Sequence, residues 1–426
     1  MNDRRTPSLR ARLAVASGRM ASQASRFFGR GGGGMIGGKV ALSTHPGLLG
    51  ELCTGREVVL VTGTNGKSTT TKMIRAALGG DSVASNSRGD NMPPGIVTAL
   101  MNQTNSNGRA VLEVDEMHLP SVAAEARPRA LVLLNLSRDQ LDRVGEIGSV
   151  EKRLRQAVDQ NPQAKVIANC DDPLVVSAAW DAKNVVWVAA GSGWGADSAS
   201  FPRGGGRIIR DGEDWTIEEG TGTDHVHYRR PTPKWHIEGS ELCGPDGRYP
   251  LKLQLPGEVN LYNAAQAVAC AVALGQDPQA AVKAVESVSE VAGRYKRFDV
   301  DGRKARLLLA KNPAGWQESL RMADKKVDQI VIGVNGQVAD GQDLSWLWDV
   351  DFEGWGRTCA AASGERGSDL AVRLRYAGID GPLFDTPLEA IKSYGPGPVE
   401  VLVNYTSFRD LLSQLQAEGY KEVQNV

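Results

Sequence analysis

The 426-residue chain is 41% hydrophobic and 23% charged, the balance of an ordinary globular protein long enough for two or three domains with sizeable cores. A formal net charge of -1 excludes general attraction to nucleic acid, and no apolar run approaches the ~20 residues of a membrane-spanning helix. Five well-separated cysteines (53, 170, 243, 270 and 359) with no C-x-x-C pair argue against a disulfide framework and suit a reducing cytosol.

Residues 1–45 form a basic N-terminal segment. Arg4, Arg5, Arg10, Arg12, Arg19, Arg26 and Arg30 stand against Asp3 alone, and Leu9, Leu13, Met20, Phe27 and Phe28 suggest an apolar stripe on a helix. Two roles are open to it: resting on an anionic membrane surface, or docking on the next domain. Residues 31–34, all glycine, form a flexible break.

The stretch 58–78 reads as a buried strand, a tight glycine turn and a helix. Gly63 and Gly66 allow backbone angles that other residues avoid, and they leave room for a close ligand. The loop, with Thr64 and Asn65, aims backbone N–H groups and a helix N-terminus at one point, which suits phosphate. Lys67 adds positive charge, and a Ser68 or Thr69 hydroxyl is suited to Mg²⁺. The eight-residue P-loop pattern is incomplete, because Val61 replaces its first glycine.

Residues 85–91 are polar and turn-rich, either a ligand loop or plain surface. Residues 109–116 form a strand ending in Glu113, Asp115 and Glu116, at the sheet end where α/β folds bind ligands; Glu113 is the candidate Mg²⁺ carboxylate. Further apolar strands at 130–136 and 166–170, with a helix between at 150–161, predict a parallel sheet covered on both faces. Residues 191–250 read as an insertion of short antiparallel strands, with Trp215 and Trp235 isolated among polar residues. In it His225 and His227 lack the further donors of a metal site. Asn260 and Asn263 open a helix, as caps or as contacts to an ATP base.

A boundary is expected near residues 293–298, so that a central domain spans 46–295 and a smaller Rossmann-like domain spans 296–426. The latter has strands near 305–310, 329–334 and 399–403. Its loop at 335–352 carries Asp340, Asp343, Asp349 and Asp351 beside Trp346 and Trp348, more acid than a capped helix requires.

The motif Val61-Thr-Gly-Thr-Asn-Gly-Lys67 resembles the ATP loop of the Mur ligases and folylpolyglutamate synthetases. Together with Asn86-Ser-Arg-Gly89, Arg138-Asp-Gln-Leu-Asp-Arg143, Ala310-Lys-Asn-Pro-Ala-Gly315 and Ala339-Asp-Gly-Gln-Asp-Leu-Ser-Trp-Leu-Trp-Asp349, it makes nearly the whole chain similar to the MurT family. That resemblance implies an α/β fold with a Mur ligase-type central ATPase domain and a Rossmann-like C-terminal domain, without the domain that grips UDP. It implies ATP and Mg²⁺, and amidation of the α-carboxyl of D-glutamate in the lipid II stem peptide through an acyl phosphate. Ammonia would come from a GatD-like glutaminase partner, whose catalytic His an aspartate of the C-terminal domain orients. Asp343 is the first candidate for that aspartate and Asp349 the second.

None of the five cysteines lies on the sharp G-x-C-x-G turn of a glutaminase, so the partner is needed on chemical grounds too. Many relatives carry a four-cysteine zinc ribbon in the insertion. The equivalent stretches, 201–204 and 217–220, hold no cysteine, so no zinc is expected. The Asp-His-Leu-Asp of the Mur ligases is Asp139-Gln-Leu-Asp142 here, which puts a second metal ion held as in the ligases in doubt. The rival readings are an amino-acid-adding ligase and a non-catalytic ATP-binding scaffold of a cell-wall complex.

Overall fold

Two structural units divide the chain, residues 1–136 with 145–289 and residues 137–144 with 290–426. The computed structural model describes all residues except 1–7, 28–33, 87–89, 104–107, 138–146, 193–198, 224–225, 290–294, 342 and 424–426. The motif at 138–143, His225 and most of the glycine run therefore lie outside the described residues.

The first unit opens with helices α1 (Leu9–Phe27), α2 (Gly34–Thr44) and α3 (Leu48–Cys53). Strand β1 (Glu57–Thr62) and helix α4 (Lys67–Leu78) follow, then α5 (Pro93–Asn102), β2 (Arg109–Glu113), α6 (Leu119–Ala126), β3 (Ala130–Leu133), α7 (Ile147–Gln160), β4 (Lys165–Asn169), α8 (Pro173–Ala179) and β5 (Val185–Val188). The five strands are parallel in the order β2-β1-β3-β4-β5. The apolar runs of β1 to β4 are buried, as expected where helices cover both faces of such a sheet, and that of β5 is mostly half-buried. The chain leaves β1 toward β2 on one side and β3 on the other, so the carboxyl end of β1 is a topological switch point. Open α/β sheets bind ligands there.

The insertion forms an antiparallel hairpin, β6 (Ile208–Asp211) with β7 (Asp214–Ile217), and a three-stranded antiparallel sheet, β8 (His236–Glu238), β9 (Glu241–Gly244) and β10 (Gly247–Pro250). Trp215 and Trp235 are not isolated. Trp215 and Phe201 are buried with Tyr228, the Phe201 ring 5.7 Å from Trp215 and 4.5 Å from Tyr228. The Trp215 indole N–H donates to the Cys170 carbonyl at 3.0 Å, tying the hairpin to the end of β4. Trp235 is buried and stacks on Tyr249. Residues distant in sequence supply these partners, which local composition does not reveal. Helices α9 (Glu258–Ala273) and α10 (Pro278–Glu286) end the unit.

The second unit builds a six-stranded sheet in the order β11-β12-β16-β13-β14-β15, parallel except for the first pair. Its elements are β11 (Tyr295–Val300), β12 (Arg303–Leu309), α11 (Pro313–Met322), β13 (Ile330–Gly333), β14 (Ala361–Ser363), α12 (Gly367–Tyr376), β15 (Leu383–Phe384), α13 (Pro387–Ser393), β16 (Gly397–Val403) and α14 (Tyr405–Ala417). Helix starts are locally encoded. Asn312 and Thr386 cap helices whose first residue is proline, and Thr386 with Glu389 completes a capping box.

Candidate active site

Strand β1 delivers the loop 63–66 to the switch point. Gly63 (φ 138°) and Gly66 (φ 87°) occupy angles that side-chain-bearing residues avoid. Space excludes a Cβ as well: at Gly63 it would lie 2.8 Å from the Leu134 Cβ, and at Gly66 2.6 Å from the Asn263 Oδ1. Helix α4 then starts at Lys67 with no side-chain cap, so its first N–H groups have no intrahelical acceptor and point at the loop.

Two carboxylates face this turn. Lys67 Nζ lies 2.8 Å from Glu116 Oε1 and also donates to the Gly63 carbonyl at 2.6 Å. Burial raises the Glu116 carboxyl, and the Lys67 ammonium opposes that shift. Ser68 Oγ donates to Glu113 Oε2 at 2.8 Å, and Glu113 is buried at the end of β2. Asn86 grips the backbone of Glu113 from both sides: its amide donates to the carbonyl at 2.8 Å, and its Oδ1 accepts from the N–H at 2.8 Å. The polar loop at 85–91 thus contributes a buried positioning residue, while 87–89 lie outside the described residues.

Asn135, just beyond β3, is a site residue that sequence reasoning passed over. Its carbonyl and its Oδ1 accept from the N–H groups of Thr64 (2.8 Å) and Asn65 (2.9 Å), and its amide donates to the Asn65 carbonyl at 3.0 Å. The available signal was a lone amide interrupting an apolar strand. Asn260 and Asn263 are both buried, and neither caps α9, whose N-cap is Gly257. Asn263 instead packs on Gly66 and accepts from the Thr70 hydroxyl at 3.2 Å, and Asn260 accepts from the Asn263 amide at 3.2 Å. The pair braces the loop from behind. Thr69 is buried in the first turn of α4.

In the second unit, the acidic segment is largely committed to local structure. Asp340 is buried, and both the N–H and the hydroxyl of Thr406 donate to it at the start of α14. Burial raises its carboxyl. Asp351 accepts from the Gly354 N–H at 2.8 Å. Asp343 is exposed and accepts from the Ser345 N–H at 2.8 Å through one oxygen. Asp349 is half-buried at the end of a short helical turn, Ser345–Trp348.

The clamp on this segment is the buried Arg373 of α12, a residue that sequence reasoning did not single out. It donates to the carbonyls of Leu347 (3.1 Å) and Val350 (2.7 Å) and forms a two-pronged pair with Glu353. Its guanidinium also lies 5.2 Å from the Trp348 ring centroid and 5.3 Å from that of Phe352. Trp346 is buried and stacks on Trp316, whereas Trp348 is 57% exposed.

The zinc-ribbon stretches hold apolar side chains: Phe201 and Ile217 belong to the aromatic cluster of the insertion. Among the described residues, one group of possible metal donors is close together, His236, Glu238 and Cys243, with ligand atoms within 4.8 Å of one another. Arg248 already pairs with that glutamate at 2.7 Å. His227 is exposed and contacts the Thr216 hydroxyl.

Two family models match the chain: "Mur ligase middle domain" over residues 61–271 and "MurT ligase C-terminal" over residues 309–408. Among curated proteins, it is 30% identical to the lipid II isoglutaminyl synthase (glutamine-hydrolyzing) subunit MurT of Streptococcus pneumoniae (strain ATCC BAA-255 / R6). It is 29% identical to the subunit of the same name from Staphylococcus aureus (strain COL). Each match covers 96% of this chain and 98% of the relative. A crystal structure of MurF from Acinetobacter baumannii shares the fold, with a TM-score of 0.64 and 18% identity over 89% of this chain and 80% of that one. MurF from Thermotoga maritima in complex with ADP aligns with a TM-score of 0.57 and 15% identity, covering 89% and 84%.

Proposed function

The chain belongs to the MurT family of Mur-type ligases, and from that premise we propose that it is the synthetase subunit of a lipid II isoglutaminyl synthase. It converts the α-carboxyl of D-glutamate in the lipid II stem peptide to the amide, using ATP and ammonia from a GatD-like glutaminase. The observation that carries this reading is the convergence of Lys67, Ser68, Glu113 and Glu116 on one glycine loop at the switch point.

ATP lies with its phosphates against the loop and the first N–H groups of α4. The hard oxygen donors Ser68 and Glu113, 2.8 Å apart with the carboxylate buried, fit Mg²⁺, which would neutralise phosphate charge there. Lys67 exchanges Glu116 and the loop carbonyls for the transferring phosphoryl group and stabilises the charge that develops on it. Glu116 then loses its counter-charge and is driven further toward the protonated form. The glutamyl carboxylate attacks the γ-phosphate, ADP leaves, and ammonia displaces phosphate from the acyl phosphate to give the amide.

Asp343 completes the partner's triad by accepting from its catalytic His, with Asp349 as the second candidate. A carboxylate pinned through one oxygen at an exposed position suits that task. No zinc is expected in the insertion, because the stretches 201–204 and 217–220 hold no cysteine. A lipid-linked substrate sets the work at the inner, cytoplasmic face of the membrane. The test is co-expression with the glutaminase and mass spectrometry of lipid II after incubation with ATP and glutamine. Conversion of acid to amide is expected. Incorporation of an amino acid instead would make the chain an adding ligase, and no ATP turnover would make it a scaffold.

A further inference from the structure

Helix α1 has two faces with different uses. Ala11, Ala14, Gly18, Ser22 and Ser25 lie on one side and are small; those with a Cβ are all buried. They permit close approach to α2: a Cβ at Gly18 would lie 2.7 Å from the Gly37 carbonyl oxygen and 2.9 Å from the Ala41 Cβ. Arg19 adds a tie to the Met101 carbonyl of α5. The docking reading of the N-terminal segment is therefore satisfied by small residues and the Arg19 tie, without the large apolar side chains.

The large apolar residues point the other way. Leu9 (74% exposed), Leu13 (59%), Met20 (70%) and Phe27 (86%) are spaced by four, seven and seven residues, which puts them within about 40° of one another around the helix axis and spreads them over roughly 27 Å. Phe27 and Leu9 are the most exposed large apolar side chains among the described residues. Exposed Arg10, Arg12 and Arg19 flank this stripe. No Asp or Glu occurs between Arg4 and Gly50, a span with seven arginines and Lys39. No helix among the described residues is long and apolar enough to cross a membrane.

We propose that α1 lies in the plane of an anionic lipid surface, with Leu9, Leu13, Met20 and Phe27 inserted below the headgroups and the arginines at headgroup level, and so holds the ATP-binding unit at the membrane. The choice of occupant follows from charge. A second copy of the same face would bring two basic rows together, whereas anionic lipid complements both the stripe and its flanks. The proposal deepens the functional reading above, because a lipid-linked substrate rewards residence at the bilayer.

The test uses the full-length chain with its glutaminase partner. Binding to phosphatidylglycerol-containing and to pure phosphatidylcholine vesicles is measured by flotation, for wild type, for Leu13→Glu/Met20→Glu and for Arg10→Ser/Arg12→Ser. Wild type is expected to favour the anionic vesicles, and increasingly so at low salt. The stripe variant should bind at least tenfold more weakly with an unchanged thermal unfolding midpoint, since both positions are exposed. The arginine variant should lose most of the preference for anionic lipid. Equal binding by wild type and the stripe variant would overturn the proposal. So would a stripe variant that changes only the oligomeric state seen by light scattering, which would assign the stripe to a second copy. Amidation of lipid II in detergent micelles is measured in parallel. If it fails in wild type while vesicle binding holds, the functional reading fails and the lipid-surface helix stands.

Discussion

The glycine loop of the first unit and the acidic segment of the second both sit just beyond a parallel strand, and both carry the most function-like residues of their unit. They differ in what their polar groups already do. At the loop, Lys67 pairs with Glu116 and with loop carbonyls, and Ser68 pairs with Glu113, contacts that a phosphate can displace. In the acidic segment, Asp340 and Asp351 serve the backbone directly, and Arg373 clamps the chain between Leu347 and Glu353. A cluster of charges is functional where its members are exchangeable and structural where they terminate backbone hydrogen bonds. By that measure the loop is the stronger candidate site, and the segment is a rigid mount for its exposed carboxylates, Asp343 among them.

The sharpest way to break this contrast is Asp343→Asn. If the segment mounts a triad member, glutamine-dependent amidation should fall by a factor on the order of 10⁴, as when a serine-protease triad loses its aspartate charge. Activity with free ammonium should survive, and the melting temperature should barely move. Full glutaminase activity in that variant would move the role to Asp349, where Asp349→Asn provides the same readout.

Next in size is Lys67→Ala. Removing the charge aimed at the phosphoryl group should cost about 3 kcal/mol of transition-state stabilisation, a loss of roughly 10²-fold with glutamine and ammonium alike. Retention of near-normal ammonium-dependent turnover would show that the loop does not carry the chemistry.

A third test concerns the neighbouring frame. Asp172, buried at the start of α8, accepts from the Leu136, Leu174 and Val175 N–H groups, yet burial dominates and pushes its carboxyl up to about 6. The native state thus binds the proton that the unfolded chain releases near pH 4. The resulting stabilisation is full at low pH and is lost as pH rises through 6. It amounts to about 3 kcal/mol. Denaturant unfolding of wild type between pH 4 and 7 should show this decline on top of other titrations, and Asp172→Asn should flatten it.

The smallest expected effect is Gly66→Ala. The left-handed angle and the contact with Asn263 together cost on the order of 1–3 kcal/mol. Adding Asn263→Ala should recover the steric part and leave the backbone part. ATP affinity measured by calorimetry across the four proteins separates the two.

Much of the fold could be read from the sequence, because the information was local. The apolar runs at 58–61, 130–134 and 166–168 became central parallel strands, and the turn at 63–66 needed its glycines for reasons visible in the motif itself. What escaped was non-local. Asn135 acts on the loop from another element and has no signature near residue 63, and although Asn263 stood out as a cap or a base contact, its packing on Gly66 did not. Trp215 looked solitary because its partners Phe201, Tyr228 and the Cys170 carbonyl come together only in the fold. The four aspartates at 340–351 looked excessive because the backbone groups that use Asp340 lie in α14, more than sixty residues away.

The central claim is that the loop energises a carboxyl group by phosphorylating it. Lipid II carrying ¹⁸O in the D-glutamate α-carboxyl tests this directly, with ATP, glutamine and both subunits present. With both carboxyl oxygens labelled, the account predicts one ¹⁸O in the inorganic phosphate for every amide formed, and both products reduced roughly 10²-fold in Lys67→Ala. Amide formed with unlabelled phosphate would contradict it.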